Sequence, residues 1–481
     1  MKKLIVIVFI IFGAFLTLCL YKTFAYDTSV VEEVPSTTDL EYTFKIGNSS
    51  IKQITVDSGE TRYYDIVLGN PNNAKISYSV YYEMVSPSTK PDGYKIEYTS
   101  KSTGNSTGIV NNNGNITLNI VVTNTSSSSV TVKVGTVAGY VKGGELTLNS
   151  GQEVIPKRLT AAEYVMTLND NTSGDEGSGV YKIEHSAIPA SNSATGSEIP
   201  AVTDYRYYGP NPNNYICLDM EGGSTCPDKH LYRIIGSIYE EKENTNRIKL
   251  IKATPLTDGT TSAFSWDYTS SGSYSNIWAT ITSGNYSNSL TSGSTLMQLI
   301  NSGAWWNGTS GSYYNQSNTA TTVNFTNYKL SDKAKSYITT SRYYLGGFNN
   351  TPPLTNEMYG YERGILRYDT NRPLYWEGMV GLMYPSDYGY AAGNSCVNGT
   401  KLYDYNGYGN KDWLYISDIY QSLMSPYSGH FCSLFSVGYA GRVVIDNDVF
   451  EDLAVSPVFY LTSTTSIIDG DGSLNNPYLL K

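Results

Sequence analysis

Ser386 and Asp387 stand side by side in the stretch GLMYPSDYGYA, residues 381 to 391. A serine hydroxyl becomes a nucleophile when a neighbouring base takes its proton and a further group orients that base. The pair therefore suggests a serine with a carboxylate helper. The competing interpretation is a turn, because serine and aspartate side chains readily hydrogen-bond to their own backbone.

The nucleophile hypothesis requires a base, and the sequence does not supply one in a known pattern. Ser-Asp followed by an aromatic or amide residue is part of the signature of penicillin-binding serine enzymes, which also carry Ser-x-x-Lys and Lys-Thr-Gly. Ser-x-x-Lys occurs here only at Ser49 to Lys52, hundreds of residues upstream, and Lys-Thr-Gly is missing. We therefore predict that residues 379 to 383 form a buried strand, that Pro385 ends it, and that Ser386-Asp387 is a turn at the edge of the core.

Histidine and aspartate positions give no metal-binding pattern. His185, His230 and His430 are scattered, without His-x-x-x-His or His/Cys spacing, whereas a metal site needs converging ligands. The run Asp469 to Ser473 resembles a calcium loop but lacks the downstream glutamate of an EF-hand, so an Asp-Gly turn is favoured. We expect no catalytic residues, no metal and no cofactor.

Aromatic residues in polar loops are the positive functional signal. Tyrosine and tryptophan provide rigid contact area with a polar tip, and Ser, Gly and Asn provide adaptable hydrogen bonds, as in many binding surfaces. The alternative is that these rings pack against the loops of their own domain. The candidate ligand-binding residues are Trp305, Trp306, Tyr313, Tyr314, Tyr403, Tyr405, Tyr408 and Trp413.

Four cysteines follow the N-terminal region. Their even number in an exported chain suggests disulfides, with three possible connectivities. The short spacing favours Cys217 with Cys226, which leaves Cys396 with Cys432. Free thiols in a reducing compartment remain the alternative.

The N-terminus carries an export signal. Lys2 and Lys3 precede an apolar run from Leu4 to Leu20, and a Thr-x-Ala site ends at Ala25. Residues 1–26 are therefore predicted to be a cleaved signal peptide or an uncleaved membrane anchor with a cytoplasmic N-terminus. Residues 27–40, acidic and interrupted by Pro35, are predicted to be a stalk. A net charge of −10 argues against nucleic acid as a partner.

Two folded regions should follow the stalk. Apolar residues alternate through 41–158 in short segments separated by Asn/Gly turns, which predicts an immunoglobulin-like β-sandwich. Thr160 and Glu163 form a capping-box pattern, so a helix and a flexible linker are expected over 159–203. From 204 to 481, the segments LYRIIGSIYE and RIKLIKATPL are predicted to be paired strands. Two short helices are expected in TLMQLINSG and in SDKAKSYITTS, the second capped by Ser331, so this region is predicted to be an α+β domain.

A set of ordered motifs in the C-terminal region resembles a module of exported proteins from Firmicutes and Mollicutes-type bacteria. The motifs are YRYYGPNPNNYICLD (205–219), CPDKHLYRIIG (226–236), RIKLIKATPL (247–256), GLMYPSDYGYAA (381–392), SLMSP (422–426), VSPVFYLT (455–462) and GDGSLNNPYLL (470–480). Their order also resembles an uncharacterised family with a C-type-lectin-like, formylglycine-generating-enzyme-like fold. The first domain resembles the sandwich of bacterial surface and matrix-fibre proteins.

The chain departs from the functional templates of that fold. It lacks the Arg-Gly-Gly-Ser-Trp core and the closely spaced copper-binding cysteines of formylglycine-generating enzymes, and the Glu-Pro-Asn, Gln-Pro-Asp and Trp-Asn-Asp calcium motifs of sugar-binding lectins. Because the families it resembles are largely uncharacterised, the function is predicted from other features. Export, the order of stalk, sandwich and C-terminal module, the lack of a catalytic constellation and the aromatic polar loops predict a non-enzymatic, adhesin-like recognition protein, secreted or at the cell surface, that binds an extracellular glycan or protein. The alternative is a structural pilus, matrix or surface-layer subunit that assembles through the sandwich.

Overall fold

The computed structural model describes residues 43–46, 53–99, 101–141, 146–169, 174, 177–280, 292–345, 347–365, 373–405 and 411–481. The chain divides into two compact units, Met1–Arg158 and Leu159–Lys481. Both are rich in β-strand and contain several separate sheets. No helix in the described ranges is long and apolar enough to cross a membrane. The predicted N-terminal segment and stalk lie outside these ranges.

The first unit is a β-sandwich-like arrangement of two antiparallel sheets. One sheet has the order β1-β3-β7-β5, and the other has the order β2-β8-β4-β6, with β9 also paired to β4. Its strands are β1 Thr43–Ile46, β2 Gln53–Val56, β3 Glu60–Gly69, β4 Ile76–Ser86, β5 Tyr94–Tyr98, β6 Thr107–Val110, β7 Asn115–Asn124, β8 Val130–Tyr140 and β9 Gln152–Val154.

Both sheets contribute side chains to one hydrophobic core. Successive side chains of a strand point to opposite faces, so an alternating sequence buries every second residue. The predicted inward faces are confirmed in three strands: Ile76, Tyr78, Val80 and Tyr82; Ile116, Leu118, Ile120 and Val122; Val130, Val132 and Val134 are all buried.

The second unit contains seven short helices and sixteen strands in its described residues. The helices are α1 Ala161–Thr167, α2 Thr295–Asn301, α3 Ala304–Asn307, α4 Asp332–Ser336, α5 Thr355–Tyr361, α6 Pro385–Ala391 and α7 Asn394–Val397. The strands are β10 Gly179–His185, β11 Val202–Tyr208, β12 Tyr215–Cys217, β13 Leu231–Glu240, β14 Thr245–Lys252, β15 Ser310–Tyr314, β16 Ala320–Asn324, β17 Ile338–Thr339, β18 Ser341–Tyr344, β19 Tyr375–Gly378, β20 Gln421–Pro426, β21 Ser433–Val437, β22 Val443–Asp448, β23 Val458–Leu461, β24 Ile467–Asp469 and β25 Tyr478–Leu480.

A nine-stranded sheet organises this unit. Its main path is β17-β23-β14-β13-β12-β25-β24, and β10 joins through β11, which also pairs with β13. The predicted pairing of LYRIIGSIYE with the strand beginning at RIKLIK is confirmed as the β13–β14 hairpin. A three-stranded sheet, β20-β21-β22, and two two-stranded sheets, β15–β16 and β18–β19, complete the strands.

The predicted helices are present, and each begins at a side-chain cap, of which those at Thr160 and Ser331 were predicted. Thr160 and Glu163 form the capping box of α1, Ser294 caps α2, and Ser331 caps α4. Each cap satisfies a backbone N–H that has no partner within the helix.

The segment expected as a linker differs from that expectation. Helix α1 packs against β13 and contributes Ala161 and Val165 to the core of the second unit. Strand β10 pairs along its whole length with β11. Its residues GVYKIEH alternate like those of any half-buried strand, but the polar sequences on either side suggested a continuous linker.

Candidate functional site

The stretch that contains Ser386 begins a helix, so the predicted turn is wrong. Pro385 occupies the first turn of α6, where its missing N–H costs nothing. Asp387 lies two residues later and accepts a hydrogen bond of 2.9 Å from the backbone N–H of Tyr384. The strand predicted over 379–383 is also wrong, because β19 ends at Gly378 and the residues after it form one isolated β-bridge, between Gly381 and Val458.

Ser386 faces a glutamate inside the core. Its hydroxyl hydrogen-bonds to the Glu362 carboxyl group, and its backbone N–H donates to Glu362 Oε1 over 3.2 Å. Both side chains are buried. Burial raises the pKa of Glu362 to about 8, and the nearby Asp387 carboxylate acts in the same direction. The raised pKa favours the protonated carboxyl group, which can hold Ser386 through these hydrogen bonds.

Asp387 joins two cations in a buried ion-pair network. Lys249 Nζ lies 2.5 Å from Asp387 Oδ2, and Arg206 Nη1 lies 2.8 Å from Asp387 Oδ1. Arg206 also pairs with Asp204 at 3.0 Å. Burial would raise the pKa of Asp387, but Lys249 and Arg206 outweigh it and lower the pKa below its ordinary value. These four residues, Asp204, Arg206, Lys249 and Asp387, form the buried ion-pair network and balance one another in charge.

The space beside the network is too small for a substrate. A cavity of about 50 Å³ is lined by Glu362, Ser386 and Asp387, with Arg342 and Arg363 among its other neighbours. That volume holds a few water molecules, whereas binding sites for small molecules measure roughly 300–1,000 Å³. The network therefore links β11, β14 and α6, and the geometry gives Ser386 no room for a reacting group.

Half of the predicted aromatic ligand-binding residues lie in the core, which corrects their proposed role. Trp305, Tyr313, Tyr405 and Trp413 are all buried and share the main core of the second unit. Trp413 donates from Nε1 to the carbonyl oxygen of Tyr207 over 3.1 Å, and the Tyr405 hydroxyl lies 2.9 Å from Thr355 Oγ1. Rings enclosed in this way offer no face to a ligand.

The other predicted rings are only partly exposed. Trp306, Tyr314 and Tyr403 are half-buried, and Tyr408 lies outside the described residues. Trp306 packs against the core and lies under Lys335, whose Nζ is 5.2 Å from the ring centre. The two polar loops therefore insert their aromatic residues inward, because burying a large ring stabilises a loop more than exposing it.

One predicted disulfide is confirmed and the other is wrong. Cys217 and Cys226 are bonded. Cys432 is buried and has no disulfide partner, and its thiol donates to Asp448 Oδ1 over 3.0 Å. Burial, together with the Asp448 carboxylate, raises the pKa of this thiol to about 11. The side chain of Cys396 lies outside the described part of the structure.

A larger open groove lies elsewhere on the second unit. It has a volume of about 380 Å³, within the range of small-molecule sites. The rings of Tyr420 and Tyr439 pack edge to face, with their centres 4.3 Å apart, and Tyr439 is 57% exposed. Thr257 and Ser262 add hydroxyl groups, and the carboxylates of Asp418 and Asp452 complete the polar lining.

Asp452 gives this groove an unsatisfied acceptor. Its Oδ2 accepts from the backbone N–H of Gln316 over 3.3 Å. Its Oδ1 is buried and has no hydrogen-bond partner among the described residues. Burial raises the pKa of Asp452 above its ordinary value. A buried acceptor of this kind is costly unless a donor reaches it, and this oxygen has almost no surface open to the groove.

Sequence reasoning missed the groove because its parts come from distant segments. Thr257 and Ser262 follow β14, Tyr420 precedes β20, and Tyr439 lies in the turn between β21 and β22. The aromatic pair was also less conspicuous than the Trp-Trp and multiple-Tyr loops. The one available signal was Tyr439 in the Gly-punctuated turn VGYAGR, where a large ring has little chain around it to pack against.

The fold and the groove define a multidomain, β-rich protein with an open groove lined by polar and aromatic residues. No family model matches the chain, and no curated protein or solved structure is similar to it.

Proposed function

We propose that the chain is a non-enzymatic recognition protein of the bacterial cell surface or secreted space, and that its groove binds an uncharged glycan. The observation that carries the proposal is a groove of about 380 Å³ that combines the exposed ring of Tyr439 with hydroxyl groups and two aspartates. Export of the chain is part of the same proposal and rests on the N-terminal sequence.

The chemistry of the lining selects the ligand class. Sugars present apolar ring faces that stack on aromatic rings and hydroxyl groups that donate hydrogen bonds. The tyrosines offer the first kind of contact, and the carboxylates and hydroxyl groups offer the second. Two aspartates in one groove repel acidic sugars, since like charges brought close together are unfavourable. A neutral glycan fits best, and its affinity would come from few contacts and be modest.

Single substitutions in the groove, with a matched exposed tyrosine as the control, test the proposal. Purified protein would be applied to an array of neutral and acidic glycans, and hits would be quantified by calorimetry. Y439A removes the stacking face, and D452N removes the carboxylate charge and one acceptor oxygen while keeping the volume. The control is Y63A, because Tyr63 lies on the first unit and is 59% exposed, close to the 57% of Tyr439.

We expect binding of neutral glycans that falls at least about tenfold in Y439A and D452N and is unchanged in Y63A. Circular dichroism and thermal unfolding would show that each variant is folded. The proposal fails if no glycan binds above background, or if binding is identical in all four proteins.

A structural role through the first unit is the second candidate. Strands β6 and β9 both pair with β4 and are terminal in their sheet as described. Ile109 on β6 is 55% exposed and Val154 on β9 is 38% exposed. An apolar, unpaired edge can accept a strand from another chain. Electron microscopy separates the two candidates, because filaments favour assembly and dispersed particles favour recognition.

A further inference from the structure

The turn that precedes β21 and the end of β22 bring three metal-ligating side chains together. Cys432 Sγ lies 2.9 Å from His430 Nδ1 and 3.0 Å from Asp448 Oδ1. The three ligand atoms all lie within 4.8 Å of one another. Such convergence of an imidazole, a thiol and a carboxylate is what a metal site requires, and neither the groove nor the buried ion-pair network uses these residues.

The backbone holds two of these ligands in register. Strands β21 and β22 are antiparallel, and Ser433 pairs with Asp448. The backbone N–H of Val449 then donates to the carbonyl oxygen of Cys432 over 2.7 Å. Because these bonds belong to the sheet, the thiol of Cys432 and the carboxylate of Asp448 are fixed relative to each other before any ion binds.

The third ligand is positioned by a buried amide. Asn276 is fully buried, and its Nδ2 group contacts the carbonyl oxygens of Tyr427, His430 and Ser433 at 2.7 to 2.9 Å. These contacts hold the turn that carries His430. The imidazole also packs against Phe431, with ring centres 5.1 Å apart. Groups that orient ligands in this way are characteristic of built metal sites.

We propose that His430, Cys432 and Asp448 bind a single Zn²⁺ ion. Nitrogen, sulfur and carboxylate donors together suit zinc, whereas calcium and magnesium require oxygen ligands. Ligand atoms around a tetrahedral zinc ion lie roughly 3.3–3.8 Å apart, given bond lengths of about 2.0–2.3 Å. The two sulfur contacts would therefore have to open by only about half an ångström.

Binding exchanges a proton for the ion. The Cys432 thiol, which now donates to Asp448, releases its proton to solvent, and the thiolate sulfur forms a bond to Zn²⁺. The Nδ1 atom of neutral His430 and one Asp448 oxygen supply the other two protein bonds. No residue is oxidised or reduced. Since His430 is exposed, a water molecule can reach the remaining position, as in zinc sites with three protein ligands.

Metal titration of the full-length protein, purified without a histidine tag, tests this site. Zn²⁺ would be added to metal-free protein in calorimetry, and Co²⁺ would serve as a spectroscopic probe, because a thiolate ligand gives a charge-transfer absorption. We expect one bound ion and a thiolate–cobalt band. C432S and D448N should each weaken Zn²⁺ binding by more than about tenfold. Losing a group that only orients a metal ligand already weakens binding by about tenfold or more, and these two variants remove a ligand itself.

Two variants serve as controls for these losses. D446N changes an exposed aspartate two residues from Asp448 on the same strand, and C396S removes another cysteine. Both should bind Zn²⁺ as the wild type does. A site that survives in C432S and D448N, or that disappears equally in D446N, would overturn the assignment.

A measurement on the wild type avoids the risk that a variant does not fold. The metal-free protein would be treated with an alkylating reagent, with and without added Zn²⁺, and the slow modification of Cys432 would be followed by mass spectrometry. We expect the ion to slow alkylation of Cys432 by at least about tenfold, since the metal-bound sulfur has lost much of its nucleophilicity. An unchanged alkylation rate at saturating Zn²⁺ would refute the site.

Discussion

Lys249 Nζ lies 2.5 Å from Asp387 Oδ2, although the two residues are 138 positions apart and both are buried. The contact connects the central hairpin of the second unit to helix α6. Arg206 on β11 shares the same carboxylate, so one aspartate ties three elements together. Such a pair helps to specify how these elements meet, even where its net contribution to stability is small.

Removing one partner of this pair should be strongly destabilising. K249M leaves Asp387 with a single cation, and D387N leaves Lys249 buried without its carboxylate. Each should lower the free energy of unfolding by about 3–5 kcal/mol, because an uncompensated charge remains in the core. Urea unfolding followed by tryptophan fluorescence measures the loss.

The exposed pair Lys182–Glu184 is the matched control. Its side chains are 43% and 73% exposed, so E184Q should change stability by less than about 1 kcal/mol. A loss of similar size in D387N would show that the buried ion pair does not hold the unit together.

Glu362 should make the stability of the second unit depend on pH. In the unfolded chain its pKa is about 4.3, whereas in the folded protein it is about 8. Between these values the folded state binds the extra proton, so the free energy of unfolding falls as pH rises, by up to about 1.4 kcal/mol per pH unit from this group. Below pH 4 and above pH 8 its contribution is constant.

E362Q should remove that contribution. An amide keeps a donor for Ser386 Oγ and an acceptor for the Ser386 N–H, so the variant should gain stability over the wild type progressively from pH 5 to pH 8. Denaturant unfolding across this range measures the difference. E357Q alters an exposed acid on α5 and should follow the wild type. Parallel pH profiles for E362Q and the wild type would contradict the raised pKa.

Adjacent tryptophans in α3 should respond differently to truncation. Trp305 is 1% exposed, so W305A leaves a large cavity and should cost about 3–5 kcal/mol. Trp306 is half-buried, and W306A should cost less than half as much. Thermal and urea unfolding of the two variants make the comparison. Equal losses of stability, or a larger loss for W306A, would contradict the burial of Trp305 in the core.

Mass spectrometry should find one native disulfide linkage among the described cysteines. Digestion of the unreduced protein after alkylation under denaturing conditions should yield a linked peptide containing Cys217 and Cys226. Cys432 should be recovered as an alkylated monomer. A reduced sample, in which all cysteines are alkylated, is the control. A peptide linking Cys396 to Cys432 would contradict the structure.

Local patterns in the sequence were sufficient for many elements. Alternating apolar residues in β4, β7 and β8 predicted buried faces that the structure confirms, because side-chain direction along a strand depends only on position. Capping residues at Thr160 and Ser331 predicted helix starts, since a cap bonds to N–H groups only a few positions away. The close cysteine pair followed from the same short range.

Predictions from local patterns failed where the same residues are compatible with two different structures. In YPSD, proline followed by serine and aspartate is typical of a turn, but proline and an acid in the first turn also begin a helix. The partners that settle the matter, Lys249 and Arg206, lie on distant strands. Likewise, the sequence of an aromatic loop does not distinguish rings that point into the core from rings that point into solvent. The burial of Trp305 and Tyr405 could therefore not be predicted without the core around them.

By itself, then, the sequence determined the β-rich class of the chain and the position of its main hairpin and capped helices. These features depend on periodicity and on contacts between near neighbours. Only the tertiary structure decided that Ser386 and Asp387 are buried, that Cys432 is not in a disulfide but lies beside His430 and Asp448, and that Tyr439 and Asp452 share a groove. Those facts depend on contacts between distant segments, which packing of the whole unit brings together.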